Sequence, residues 1–224
     1  MRAQSVAMRA WTFPALALLA LAGCIGGGDR DDKSRRDRRA DIAPSSAELR
    51  QCLAKLTSDQ VRFSPLPDRQ FGGGCQAVGA VQLLEIGTPV NNLGAMTCPL
   101  ASRFSDWVRF GVGPAARTML GSDVVRVDTM GTYACRNVVG GSSSARLSEH
   151  ARANAVDVAA FVLADGRKIR VAGGWNEGSD EERAFLRRIR ESACKRFVTV
   201  LSPDYNAAHH DHLHLDMGGG RLCR

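Results

Sequence analysis

The chain has 224 residues, a formal net charge of +7, and 44% hydrophobic but only 6% aromatic residues. Its eight prolines exclude a proline-rich extended architecture. The positive charge, without basic-aromatic interleaving on a recognisable module, argues against nucleic acid and fits contact with anionic polymers or lipid head groups.

Arg2 and Arg9 precede an apolar run from Trp11 to Ala22. That run is too short and too sharply ended for a permanent membrane span and suits the core of a secretory signal. It ends in Leu21-Ala22-Gly23-Cys24, which resembles a bacterial lipobox. The expectation is a signal peptide over 1–23, with lipid on Cys24 as the first mature residue. Ile25 after that cysteine lacks the aspartate associated with inner-membrane retention, so the outer membrane is the favoured anchor. Residues 24–44 carry three glycines in a row and alternating Asp, Arg and Lys, a composition that cannot bury enough surface to fold and reads as a flexible tether.

Of seven cysteines, assigning Cys24 to lipid leaves Cys52, Cys75, Cys98, Cys135, Cys194 and Cys223, an even set for disulfides in an oxidising compartment. The expected pairing is Cys52 with Cys75, Cys98 with Cys135, and Cys194 with Cys223. No C-x-x-C spacing points to a zinc-cysteine site.

Residues 45–224 are of a size for one domain. Ser45 and Glu48 have capping-box spacing before Leu49, Cys52, Leu53 and Leu56, which share one helical face. Pro99 opens a second expected helix that Gly111 should stop, with a short continuation from Pro114 to Leu120. A third starts at Ser179 with Glu182 three residues on and buries Phe185, Leu186, Ile189 and Ala193. Strands are expected at Val78 to Leu84, Val124 to Val127, Ala155 to Leu163, Ile169 to Val171, Phe197 to Leu201 and around Leu213. Asp165-Gly166 is a hairpin signal between two of them. The fold class is therefore α+β, a small, mainly antiparallel sheet with packed helices.

All five histidines lie in two segments, His150 followed by Asp157, and His209-His210-Asp211-His212-Leu213-His214 followed by Asp216. Imidazole is both a common metal ligand and a proton carrier. On an extended strand His210, His212 and His214 would share a face, and three such imidazoles are costly to bury as core. His150, from a loop, and Asp157, on a strand, combine with His214 into a two-histidine, one-carboxylate set, the donor chemistry of an open catalytic zinc site with one ion. Asp216 is expected to orient an imidazole or pair with a surface cation, and Glu149 to lie on the surface.

Ser148-x-His150-x6-Asp157 followed by His212-x-His214 resembles the metallopeptidases of peptidoglycan, the D-alanyl-D-alanine carboxypeptidases and penicillin-insensitive murein endopeptidases. The region from Cys52 to Arg224 is more closely similar to the bacterial extensin-like C-terminal family, on Tyr133-x-Cys135-Arg136, Leu147-Ser148-Glu149-His150, Asn154-Ala155-Val156-Asp157, Cys194 and His212-Leu213-His214-Leu215-Asp216. The resemblance implies a metallopeptidase-like fold, His150, Asp157 and His214 as zinc ligands, and Arg136 binding a substrate carboxylate or developing oxyanion. Ser148 would be a further substrate or ligand-orienting contact, or a turn-forming hydroxyl. His209 or His212 would carry protons, with Asp211, at the position of the carboxypeptidase glutamate, as the alternative. The glycine usual in the first motif is Ala153 here. The implied activity is a peptidase or amidase on peptidoglycan peptides, by a monomer facing the periplasm; the alternative is a non-catalytic, metal-containing wall-binding lipoprotein.

Overall fold

The computed structural model describes residues 44–139 and 146–224. The expected signal peptide, Cys24 and most of the tether lie outside them. Among the described residues no helix is long and apolar enough to cross a membrane.

Helix α1 (Ser46–Ser58) begins where the capping box places it: Glu48 N donates to Ser45 Oγ at 3.2 Å and Ser45 N to Glu48 Oε2 at 2.9 Å. These bonds satisfy two of the amide donors that a helix start leaves unpaired. Strands β1 (Arg62–Pro65), β2 (Arg69–Gly72), β3 (Cys75–Ala77), β4 (Ala80–Glu85), β5 (Val90–Asn91) and β6 (Met96–Thr97) follow, then helix α2 (Cys98–Trp107).

The expected stop at Gly111 does not occur. The chain passes through a π-helical turn (Val108–Val112) directly into α3 (Gly113–Leu120), and ends at Gly121 with φ +66°. Gly111 serves close approach instead, since a Cβ there would lie 2.4 Å from Ser192 Oγ and 3.1 Å from Trp107 Cδ1. The neighbour it admits is α5 (Asp180–Cys194), which the Ser179–Glu182 capping box starts and which follows the single-turn α4 (Gly174–Glu177). Asp180, Glu181 and Glu182 in its first turn complement the positive end of the helix dipole.

The main sheet adds β7 (Val124–Gly131), β8 (Ala155–Leu163), β9 (Lys168–Arg170), β10 (Thr199–Leu201), β11 (Leu213–Asp216) and β12 (Leu222–Cys223). Its order is β12-β10-β11-β8-β7-β5, with β9 also on β8. The long strand β8 organises it. β7 pairs along one edge, while β11 takes the first half of the other edge and β9 the second. The β8–β9 hairpin turns at Gly166, φ +89°, as Asp165-Gly166 predicts. Most pairings are antiparallel, but β5–β7 and β10–β12 are parallel, so the sheet is mixed. Strands β1-β4-β6 form a second sheet and β2-β3 a hairpin.

The helices cover one face of this sheet. Phe104, Trp107, Phe161, Phe185, Leu186 and Ile189 are all fully buried, and Trp107 Nε1 donates to Ile189 O at 3.0 Å, so the indole is buried without losing its hydrogen bond. The fold is α+β.

Cys194–Cys223 forms as expected, but the other bridges are Cys52–Cys98 and Cys75–Cys135, not Cys52–Cys75 and Cys98–Cys135. Pairing by nearness in sequence fails because α1 packs its Cys52 face against the first residue of α2, while Cys75, at the start of β3, meets the segment after β7.

Candidate metal centre

Strand register assembles the first two residues. β11 pairs with β8 so that His214 stands opposite Asp157, while Leu213, Leu215, Val156 and Val158 fill the core from the other face. Facing positions on neighbouring strands bring side chains within contact distance. The third residue arrives by a turn. Residues Glu149–Arg152 form one 3-10 turn, begun by Ser148, whose hydroxyl accepts from His150 N at 3.3 Å, and ended by Ala153 in the left-handed region at φ 53°. That reversal sends the chain into β8 and returns His150 to the side chain of Asp157.

His150, Asp157 and His214 are buried, at 3%, 7% and 8% exposure. His150 Nε2 lies 3.0 Å from Asp157 Oδ2 and 3.2 Å from His214 Nδ1, and His214 Nδ1 lies 2.9 Å from Asp157 Oδ1. The opposite nitrogens are already committed: His150 Nδ1 donates to Thr132 O at 3.1 Å and His214 Nε2 to Asp216 Oδ2 at 2.9 Å. Asp216 is itself fixed by Gly218 N, which donates to its other oxygen at 2.9 Å. A carbonyl and a carboxylate accept only, so each neutral imidazole turns a lone pair inward, toward a carboxylate that also only accepts. Three acceptors facing one point need a cation between them. Without a metal, a proton takes that place. Burial pulls the His214 pKa down, but the hydrogen bonds and charges of Asp157 and Asp216 outweigh it and raise it to about 9. Asp157 is likewise penalised by burial and yet held well below the usual carboxylate range by His150 and His214. Among the described residues these three are the group of ligand-type side chains whose donor atoms all lie within 4.8 Å of one another. They fit a divalent ion, with Thr132 and Asp216 orienting the imidazoles from behind.

The remaining histidines do not form a shared strand face. Only His214 lies on β11; His209 ends a 3-10 turn (Ala207–His209), and His210 and His212 precede the strand. The polar run from Asn206 follows Pro203 and turns instead of extending, with Asn206 Oδ1 accepting from Ala208 N at 3.1 Å. His209, not His210, therefore joins the cluster, its ring 5.1 Å from that of His212 and 5.9 Å from that of His214. His210 is exposed and donates to Ala207 O at 2.9 Å.

Around the centre, Asp211 Oδ1 holds His212 Nδ1 at 2.8 Å, which leaves His212 Nε2 3.6 Å from Asp157 Oδ1. Asp211 thus backs His212. Burial and the charges of His212 and His214 push the His209 pKa down to about 4, and its Nδ1 is tied to Asn206 Oδ1 at 2.7 Å. Tyr205 meets its ring edge-on at 5.5 Å. Arg136 extends to 3.9 Å from Asp157 Oδ2 and remains 42% exposed. Ser148 is buried, its hydroxyl engaged by the turn.

Glu149 is not a surface residue. Its carboxylate accepts from Asn154 Nδ2 at 2.8 Å and lies so close to Gly218 that a Cβ there would fall 2.1 Å away. Burial pushes its pKa up against the Asn154 bond. As the first residue of the 3-10 turn it is drawn inward, a geometry that charge alone does not announce. Asn154 has no role legible from the sequence alone; its side chain also accepts from Thr97 Oγ1 at 2.8 Å, tying the His150 turn to the start of α2. The Thr132 contribution is a backbone carbonyl and leaves no sequence signal, whereas Asp216 is readable as two residues from His214 on the same strand face.

No curated protein and no solved structure matches the chain. Residues 50–224 match the family described as extensin-like protein C-terminus. That match spans more than half of the sequence and contains all three disulfides of the described residues and every residue of the centre, and the chain belongs to the extensin-like protein C-terminus family.

Proposed function

We propose that this is an exported lipoprotein whose domain is a zinc-dependent peptidase or amidase acting on peptidoglycan stem peptides or cross-links, akin in ligand set and fold to the D-alanyl-D-alanine carboxypeptidases and murein endopeptidases. The observation that carries the proposal is the convergence of two inward imidazole lone pairs and the Asp157 carboxylate, with both outer nitrogens already bonded. Three disulfides among the described residues suit an oxidising compartment. Lipid on Cys24 and an outer-membrane anchor facing the periplasm complete the proposal from the sequence.

His150, Asp157 and His214 would hold the ion, which when bound supplies Lewis acidity to a carbonyl and to water. The protein supplies the rest. His212, with its Nδ1 proton fixed by Asp211, presents Nε2 as the proton acceptor. His209, neutral and oriented by Asn206, is placed to carry the proton onward. Arg136 offers a forked guanidinium to a substrate carboxylate or to the negative charge that develops on the scissile oxygen. Asp211 does not act directly in this scheme, because its carboxylate is spent on His212.

That same use of Asp211 favours the alternative, a wall-binding lipoprotein that keeps the metal without turnover. Metal analysis of the purified domain and a digest of muropeptides separate the two. The wild type should carry about one ion per chain and release product, and His214→Ala should lose both, with metal affinity down by more than ~100-fold, since loss of orienting groups alone costs ~10–100-fold. Metal and wall binding without product would overturn the enzyme, and a wild type that takes up no divalent ion would overturn the centre.

A further inference from the structure

Arg136 is held from outside the main sheet. Residues 132–138 run beside 146–150 through backbone bonds two residues apart, from Ala134 N to His150 O at 3.2 Å, Ser148 N to Arg136 O at 3.0 Å and Val138 N to Arg146 O at 2.8 Å. Along such an extended strip successive side chains face opposite ways. Tyr133 and Cys135 face the β2–β3 hairpin: the Tyr133 ring lies 5.1 Å from Phe71, and Cys135 is bonded to Cys75. Arg136 faces the other way, toward Asp157.

The hairpin touches the partner segment too. Its tip, Gly72 to Gly74, has φ of +80°, +59° and +83°, and a Cβ on Gly74 would lie 2.7 Å from Leu147 Cδ1. Only glycine combines that backbone with that approach. The guanidinium itself has loose restraints, an ion pair of 3.9 Å and a bond of 3.4 Å to Asn137 O. Its location is therefore inherited from the strip, and the strip's from the hairpin.

We propose that the β2–β3 hairpin, through Cys75–Cys135 and the Phe71–Tyr133 stack, is the positioning element for Arg136, and so sets the preference of the site for ligands with a free carboxylate independently of the metal ligands. This rests on the reading of Arg136 as a carboxylate anchor. A bidentate guanidinium–carboxylate pair demands orientation as well as charge. Cys75, Cys135, Phe71 and Tyr133 are positioning residues, since they act through Arg136.

The test is calorimetric titration of the metal-loaded full chain with a short D-alanyl-terminated peptide and with its C-terminal amide. Wild type should bind the free acid about 10–100-fold more tightly than the amide, the size of a lost charge-assisted pair, and Arg136→Ala should erase that ratio. Cys75→Ala/Cys135→Ala should lower the ratio about tenfold, as small misplacements of a binding group do, and Phe71→Ala about threefold, both with metal content unchanged. Phe71 is half exposed, so its variant folds even if the cysteine pair does not. A ratio preserved in Phe71→Ala and in any folded cysteine variant overturns the inference, as does loss of acid and amide affinity together with metal, which marks a merely structural role. A wild type that does not distinguish acid from amide, with Arg136→Ala equally indifferent, overturns the anchor reading beneath it.

Discussion

The three proposed ligands and the groups around them are built in opposite ways. His214 and Asp157 sit across a strand ladder, His150 lies in a capped turn, and each imidazole is fixed from behind by an acceptor. His209, Asp211 and His212 lie on short turns before β11, and Arg136 on an irregular strip outside the sheet. Regular pairing fixes donor atoms to the few tenths of an ångström that coordination needs, while turns and a strapped strip suit groups that must meet a variable substrate. Metal retention and turnover should therefore be separable by mutation.

The largest expected separation is at His212. His212→Gln removes the proton acceptor that Asp211 orients, and turnover should fall by ~10²–10⁴-fold, the usual worth of a general base. Metal content should stay at the wild-type level, because His212 Nε2 stands 3.6 Å from Asp157 and is not among the converging donors. Loss of the metal in this variant, measured by elemental analysis after gel filtration, would merge the two regions and defeat the comparison.

Acidity separates them next. In the metal-free chain the His214 pKa is raised from 6.5 to about 9, because Asp157 and Asp216 outweigh burial. A raised folded-state pKa means that this proton stabilises the fold fully below about 6.5 and that the contribution is lost as pH climbs through about 9. The full amount is ~3 kcal/mol. Denaturant midpoints of the chelator-treated chain should drop across that window, whereas the metal-loaded chain, with the proton already displaced, should stay level. His209 adds nothing there, since burial and its histidine neighbours keep it neutral above about 4. A metal-free chain equally stable at both ends of the window would contradict the cation-shaped geometry.

This contrast also decides what the sequence could reveal. His150, Asp157 and His214 are legible because histidine and aspartate are costly to bury without partners, so their placement around apolar strand residues points to a site. Capping boxes at Ser45 and Ser179 and the Asp165-Gly166 turn are local signals and appear in the structure where the sequence sets them. The alternation assigned to His210, His212 and His214 fails because it assumes an extended chain where Asn206 and Pro203 make turns. The Cys52–Cys98 and Cys75–Cys135 bridges are set by how helices and hairpin pack over long separations, which no local pattern encodes. Thr132 acts through its carbonyl, a group every residue has.

A smaller effect lies behind the ligands. Asp216→Ala deletes the acceptor of His214 Nε2 and leaves Gly218 N without its partner. Metal affinity should fall ~10–100-fold, read by competition with a chelating dye, with turnover at saturating metal much less affected. An unchanged affinity would show that the strand ladder alone orients His214.

The smallest expected effect concerns Ala153, which closes the turn that carries His150. The backbone keeps the conformation that glycine favours, φ 53° and ψ 29°, although the residue has a side chain. A left-handed alanine costs about 1–2 kcal/mol, but its methyl is fully buried with Ala77 and Ala80, and burying one such carbon returns ~0.8 kcal/mol. Ala153→Gly should therefore shift stability by less than about 1 kcal/mol, with strain relief set against lost packing and greater unfolded-state freedom. Metal affinity should not move, because the turn that delivers His150 is held by Ser148 and Asn154. If the variant loses metal while keeping its fold, the methyl and not the turn's hydrogen bonds sets the position of His150, and the rigidity ascribed to the ligand side would depend on packing against Ala77 and Ala80.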